Sequence, residues 1–412
     1  MKKIIERPQY LKTLLSWQNK ADTIKIITGI RRCGKSSMFK IFQKYMLNNG
    51  ILPSQIQTIN FEDADFSDLL DWKKLHDYLK SRLIDDKMNY IFLDEIQNVP
   101  DFERAVNSLR LQDNIDLYLT GSNSRILSGE LATLLSGRYV TIQMFTLSFR
   151  EYISAYPFAM AKDDIFQDYL RNSGFPYAIQ MTAAQNPLLL IDAKWDTEQI
   201  RLFLKGLFDT IVLKDIVERK NVKDVSRLTR IIKFMFDNIG SETSVRNIKN
   251  MLETEGLKID AATIENYLDG LLDAFVMHRA SRYDIKGKQH LKTNAKYYLA
   301  DIGLRYFLLG REGDVGHILE NVVYLELLRR GYEVSIGKIN DFEVDFVAAK
   351  NGSVEYYQVS QELSSKATRD RELKALDAIK NHNPKYLLTM DKFFAEEYRG
   401  IRVLNALDWL CD

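Results

Sequence analysis

The string ITGIRRCGKSS, residues 27–37, constrains this chain more than any other part of it. It follows TIKIIT (23–28), a short apolar run with strand character. It precedes a segment in which Met38, Ile41, Phe42, Tyr45 and Met46 recur at helical spacing, which marks one buried face. Gly29-Ile30-Arg31-Arg32-Cys33-Gly34-Lys35-Ser36 fits G-x-x-x-x-G-K-[ST] at every fixed position. The glycines let the main chain wrap a phosphate with its N–H groups, and the helix that follows adds the positive end of its dipole. Lys35 would reach the β- and γ-phosphates, and the Ser36 hydroxyl would ligate Mg2+. The expected cradle is Gly29, Ile30, Arg31, Arg32, Cys33, Gly34, Lys35, Ser36 and Ser37, and the expected ligands are ATP and Mg2+.

Strand signals and helical segments alternate through residues 1–155. IQTINF (56–61), NYIFLD (89–94), IDLYLTGS (115–122) and RYVTIQM (138–144) read as further strands. Apolar strands separated by helices imply a parallel sheet covered on both faces. Asp94, at the end of one such strand, is the second expected metal ligand, and Glu95 beside it is the group that would polarise a water for attack on the γ-phosphate. Thr120, Ser122 and Asn123 would lie near that phosphate if their strand neighbours the one ending at Asp94. Asn123 is the candidate sensor, so the expected catalytic set is Glu95, Lys35 and Asn123, with Ser122 the other contender and a plain polar turn the structural alternative. Arg125 and Arg138 could supply charge to this site or to a neighbouring molecule's, or could be solvated arginines; Glu62 could tune the metal or the water, or lie on the surface.

Beyond this region the pattern changes. Residues 156–220 lose the strand signal and read as a helical lid. Residues 221–300 give three amphipathic helices and then two extended runs, the order of a winged helix. The third helix, 260–273, carries Asp260, Glu265, Asp269 and Asp273 and no cation, which opposes contact with DNA phosphates. The hairpin instead carries Arg279, Arg282, Lys286, Lys288, Lys292 and Lys296 against Asp284, a set that could touch a nucleic-acid backbone without reading sequence; the structural alternative is a spacer or protein-contact module with a solvated hairpin. Residues 301–412 return to mixed strands and helices, with Asn351-Gly352 as a hairpin turn.

The strings ITGIRRCGKS, IFLDEIQNV, LTGSNSRIL, LSGRYV, KYYLADIGLR and EVDFVAAKNGSVEYYQVS together resemble the AAA+ superfamily proteins of bacteria and archaea in which a P-loop ATPase domain precedes a domain called DUF4143. The resemblance implies ATP binding, Mg2+ dependence and a C-terminal domain with a restriction-nuclease-like fold. Nuclease centres of that type need a helix glutamate, a strand-end aspartate and an acid-x-lysine on the next strand. Here Glu320 and Asp345 fit the first two places, but Gln358-Val359-Ser360 stands where acid and lysine belong, and Lys366 and Arg369 lie elsewhere on a loop or helix. Gln358 is neutral and a poor ligand for a hard cation, so an inactive, nuclease-like frame used for binding or dimerisation is expected.

The fold class expected is therefore α/β: a P-loop NTPase parallel sheet (1–155), a helical lid (156–220), a winged-helix domain (221–300) and a restriction-nuclease-like α/β C-terminal domain (301–412). A net charge of +1 gives no global pull toward nucleic acid, two cysteines give no disulfide framework, and no apolar run reaches membrane-spanning length. These features point to the cytoplasm. The function expected is a nucleotide-driven conformational switch, the alternative an ATP-gated protein that touches DNA through its wing. A homo-oligomer and an unidentified protein partner are the expected company.

Overall fold

Five apolar runs of the amino-terminal third pair into one sheet. In the computed structural model, residues 4–122, 137–156, 160–183, 194–310, 315–363, 366–392 and 397–412 are described. The chain divides into two units, residues 1–146 with 273–275, and residues 147–272 with 276–412.

In the first unit the strands are β1 (Ile24–Thr28), β2 (Ile56–Asn60), β3 (Asn89–Asp94), β4 (Ile115–Gly121) and β5 (Tyr139–Gln143), ordered β2-β3-β4-β1-β5. Every pairing is parallel. β1, β3 and β4 are buried along their whole length, as near-continuous apolar runs at a sheet's centre should be, whereas the edge strands β2 and β5 are only partly buried. Because all strands run the same way, the segments following β1, β3 and β4 leave from one edge of the sheet, side by side. The helices are α1 (Pro8–Trp17), α2 (Lys35–Asn48), α3 (Trp72–Lys80) and α4 (Phe102–Arg110). Side chains on a strand alternate between faces. Phe92 and Tyr118 therefore stack on one face (ring centroids 4.8 Å apart), with Phe39 and Phe42 of α2 edge-on against them. Ile91, Leu93, Leu117 and Leu119 fill the core with Leu75 and Leu79 of α3 and Val106 and Leu109 of α4. The buried face of α2 is Met38, Phe39, Phe42 and Met46. Tyr45, expected on that face, is exposed, and Phe39 replaces it because the i, i+4 rows through 38/42/46 and 35/39 face the sheet.

The second unit opens with α5 (Phe149–Ala155), α6 (Lys162–Asn172), α7 (Pro176–Ala183) and α8 (Lys194–Thr210), which continues through a π-helical turn, Ile211–Val217. Then come α9 (Val225–Asp237), α10 (Val245–Thr254), α11 (Ala261–Asp273) and the hairpin β6 (Met277–Asp284) and β7 (Gln289–Leu299). After α12 (Ile302–Leu309) and α13 (Val315–Arg329) follow β8 (Glu333–Ile339), β9 (Phe342–Lys350), β10 (Ser353–Ser360), α14 (Lys366–Asp377), β11 (Lys385–Thr389), β12 (Glu397–Tyr398), β13 (Ile401–Asn405) and α15 (Ala406–Cys411). Three helices and a hairpin thus follow in the expected order, and Thr243 forms an antiparallel bridge to Ala295 of β7. The hairpin does not stand alone. Arg282–Asp284 of β6 pair in parallel with Ile336–Lys338 of β8, so hairpin and C-terminal strands form one eight-stranded sheet, β12-β13-β11-β10-β9-β8-β6-β7. The turn at Asn351-Gly352 joins β9 to β10 as expected, with φ of 49° and 81° at its two residues, values that favour asparagine and glycine.

The string YYLADIGLR forms a joint within this unit. Asp301 caps α12 through Gly303 N–H (2.9 Å) and also accepts Gly174 N–H at 2.8 Å. Gly303 lies so near the α6–α7 connection that a Cβ there would come 2.4 Å from Ser173 Cβ. Arg305, buried, donates to the Phe236 carbonyl at the end of α9 (2.9 Å). Among the described residues no helix is long and apolar enough to cross a membrane.

Candidate nucleotide-binding site

β1 ends at Thr28, and the chain turns through Gly29–Gly34 into α2. The turn is built from backbone conformations that ordinary residues avoid. Gly29 has φ 144°, and a Cβ there would sit 2.0 Å from the Met144 carbonyl oxygen, so only glycine fits. Arg32 and Gly34 also have positive φ, 64° and 112°. Cys33 N–H closes the turn on the Ile30 carbonyl at 3.2 Å. α2 begins at Lys35 with no side-chain cap and no acidic residue in its first turn. Its first amides have no intrahelical acceptor, the Lys35 N–H leaning on the Cys33 thiol, and this end of the helix is the arrangement an anion satisfies.

Lys35 is buried against this loop. Its Nζ donates to the carbonyls of Gly29 (3.0 Å) and Ile30 (3.4 Å) and lies 3.6 Å from Glu95 Oε1. Asp94 is the last residue of β3, and Thr120 of the adjacent β4 donates its hydroxyl to the Asp94 carboxylate. The same hydroxyl accepts Glu95 N–H at 2.9 Å, which holds Glu95 in a left-handed conformation (φ 54°). Burial pushes the Asp94 carboxyl above its usual range, and hydrogen bonds from the Thr120 and Ser36 hydroxyls pull it part of the way back. Ser36 and Asp94, the two expected metal ligands, thus meet. Burial also opposes charge on Glu95, but the Lys35 ammonium, the Gln97 amide and the Arg31 guanidinium outweigh it and hold Glu95 below the usual range. The buried Ser122 hydroxyl also faces Glu95 and adds to the downward pull on it. A helix N-terminus without a side-chain cap, one ammonium and a hydroxyl–carboxylate pair of hard oxygen donors fit a magnesium-bound polyphosphate.

The remaining expected residues fall differently. Glu62 follows β2 at the same sheet edge and pairs with Arg31 of the loop, Oε1 to Nη1 2.8 Å. Arg138 precedes β5, level with the start of β1, since Ile24 N–H donates to its carbonyl (3.0 Å). It therefore sits at the opposite end of the strands from the phosphate loop, which removes a role at this chain's own site. Asn123 and Arg125 lie outside the described residues. The double use of Thr120 was not foreseen, nor was the buried ion pair of Lys25 on β1 with Asp116 on β4, to which Tyr118 also donates (2.8 Å). One charged residue inside each of two otherwise apolar strands was the available signal.

In the second unit, Glu320 on α13, Asp345 on β9 and Gln358 on β10 come together. Burial and the Glu320 charge push the Asp345 carboxyl well up, while Lys296 draws it down. Gln358 accepts Asp345 N–H (3.3 Å) and donates to Glu372 (2.9 Å). The cation in this centre is Lys296 from β7, whose Nζ is 3.0 Å from Glu320 and 2.7 Å from Glu343. Lys296, one of the six cations expected on the wing, is only 5% exposed. Arg282, also counted there, pairs with Glu242 at 3.1 Å. The charge left for an external phosphate backbone is correspondingly smaller.

Comparison with known proteins places this geometry. A family model described as an AAA domain matches residues 21–153, and a second, "Domain of unknown function (DUF8612)", matches residues 163–314. The DUF4143 domain expected over residues 301–412 is not shown; the second match instead covers the helical and hairpin region and ends at 314, taking in the YYLADIGLR string. An uncharacterized protein of Haemophilus influenzae is 37% identical over 414 residues, 99% of each chain. The uncharacterized protein MJ1544 of Methanocaldococcus jannaschii is 31% identical over 376 residues, 87% of this chain and 79% of that one. The Walker-type ATPase PABY2304 of Pyrococcus abyssi shares the fold, with a TM-score of 0.52 and 15% identity over 74% of this chain and 96% of that one. The parallel sheet and phosphate loop give the amino-terminal unit a P-loop NTPase fold, the family match makes residues 21–153 an AAA domain, and the chain belongs to the bacterial and archaeal family of which the Haemophilus protein and MJ1544 are members.

Proposed function

We propose that this protein is a Mg2+-dependent ATPase in which nucleotide state switches the conformation of the chain. The observation that carries this reading is the convergence, at one edge of a parallel sheet, of Lys35, Asp94 and Glu95 on a glycine-built loop. The loop amides and Lys35 would bind the phosphates. Ser36 and Asp94 would hold Mg2+, which when bound supplies charge to offset the phosphate oxygens. Glu95, kept ionised by its neighbours, would take the proton of an attacking water, and Thr120 orients both acids. Phosphate release from ATP by wild type, Lys35→Ala and Glu95→Gln tests the reading: turnover in wild type and loss in both variants supports it, and a wild-type rate no greater than theirs rejects it.

We read α9–α11 with the β6–β7 hairpin as a winged-helix module, and the C-terminal strands as a nuclease-like frame without nuclease activity, supported by the neutral Gln358 standing beside Asp345 where a metal-binding acid belongs. Nucleotide-gated contact with a DNA backbone is the second reading. It rests on the exposed Arg279, Lys286 and Lys288 of the hairpin. Duplex binding that weakens steeply with salt and is lost on neutralising these three would favour it. A homo-oligomer, in which an arginine serves a neighbouring molecule's site, is tested by size measurement with and without ATP.

A further inference from the structure

One buried cation beside the phosphate loop has no part in the scheme above. Arg7 is only 3% exposed. It immediately precedes α1, where Pro8 sets the first helical residue, and Leu11 N–H bonds the Arg7 carbonyl at 3.1 Å. Its backbone is thereby anchored, and its side chain reaches across to two other elements. Nη1 donates to the Cys33 carbonyl inside the phosphate loop at 3.3 Å. Nη2 donates to the carbonyls of Phe145 (3.1 Å) and Thr146 (3.4 Å), just beyond β5. The guanidinium lies 4.7 Å from the Tyr10 ring centre, and the Tyr10 hydroxyl accepts Phe145 N–H at 3.1 Å. The same segment meets the loop's other end, where Met144 N–H donates to Thr28 (2.7 Å) and the Met144 carbonyl lies against Gly29.

We infer that Arg7 is a positioning residue for nucleotide binding: it clamps the phosphate loop to the segment after β5 and so orients the Cys33–Gly34 peptide. The peptide is trans, so its carbonyl and its N–H point to opposite sides. With the Cys33 carbonyl held on Arg7, the Gly34 N–H is turned away from it, toward the concave side where the loop amides gather. A peptide free to rotate would place the carbonyl there part of the time, and a carbonyl repels phosphate. Arginine suits the task because its planar fork reaches three carbonyls on two elements while staying charged, which a lysine does with fewer bonds. The charge is felt in the loop: burial pushes the Cys33 thiol up, and Lys35 and Arg7 pull it down.

This inference rests on the ATPase reading, and the test separates the two. Titration calorimetry with Mg·ADP and with a non-hydrolysable Mg·ATP analogue is run on wild type, Arg7→Met and Arg7→Lys, beside thermal melts and steady-state kinetics. The expected result is a loss of affinity of about tenfold in Arg7→Met, equal for ADP and the analogue because the cradle serves the phosphates both share, with about half of the loss on a logarithmic scale regained in Arg7→Lys. KM for ATP should rise by a similar factor, and by more than kcat falls. Undiminished affinity in a cooperatively melting Arg7→Met overturns the inference alone. If Arg7→Met does not fold, Arg7→Lys decides, and wild-type affinity in it is equally fatal. No heat with wild type overturns the nucleotide reading and this inference with it.

Discussion

The Lys35 ammonium lies 3.6 Å from the Glu95 carboxylate, with both side chains buried. A phosphate brought to Lys35 must therefore compete with Glu95 for the same cation. Glu95→Gln removes the competing charge and the proton acceptor together. Nucleotide affinity measured by calorimetry should rise about threefold to tenfold, while phosphate release falls by about a hundredfold or more. The pair also has a pH signature. Glu95 sits below its ordinary value of 4.5 in the folded protein, so its contribution to stability is full above that value and is lost as pH falls through the lower, folded one.

Thr120 serves both acids at the end of β3, donating to Asp94 and accepting from Glu95 N–H. Thr120→Val keeps the shape, takes from the buried Glu95 amide its hydroxyl acceptor and removes one of the two hydroxyl donors to Asp94. Urea denaturation should show a loss of about 1–3 kcal/mol, and kcat should fall as Glu95 loses its fixed orientation.

Lys296 stands between Glu320 and Glu343. Burial lowers its tendency to carry charge, but Glu320, Asp345 and Glu343 outweigh burial and raise it, so it is charged throughout the neutral range. Lys296→Met strands the acids and should cost about 3–5 kcal/mol in chemical denaturation. Adding Glu320→Gln should restore part of that loss, whereas two independent sites would show additive losses.

Asp301 is held by Gly174 and Gly303 amides, yet burial pushes it up to about 6 from an ordinary 3.8. The folded state then binds the proton more tightly than the unfolded one. Its share of stability is full below the ordinary value and is lost as pH rises through about 6. Wild type should gain about 1 kcal/mol at pH 5 relative to pH 7 from this group, and Asp301→Asn should lack that increment when the two pH values are compared in urea.

Much of this protein is legible without coordinates. The loop from Gly29 to Ser36 is local, and the five strands of the first sheet came out within one or two residues of their observed bounds because each is a short apolar run with polar ends. Glu95 and Asp94 could be picked out because a strand's carboxyl end is visible as the point where the apolar run stops. What the chain order could not convey was which groups meet across strands and between elements. The placing of β4 between β3 and β1 put Thr120 beside Asp94, and parallel pairing of β5 with β1 sent Arg138 to the far end. Tertiary contact of β7 with α13 and β9 made Lys296, one cation among six in the hairpin, a buried counter-ion of Glu320 and Glu343. The physical reason is the same in each case. Periodicity reports which face of an element is buried, a short-range property, whereas the partner of a buried polar group is set by strand order and register, which depend on residues 20 to 140 positions apart.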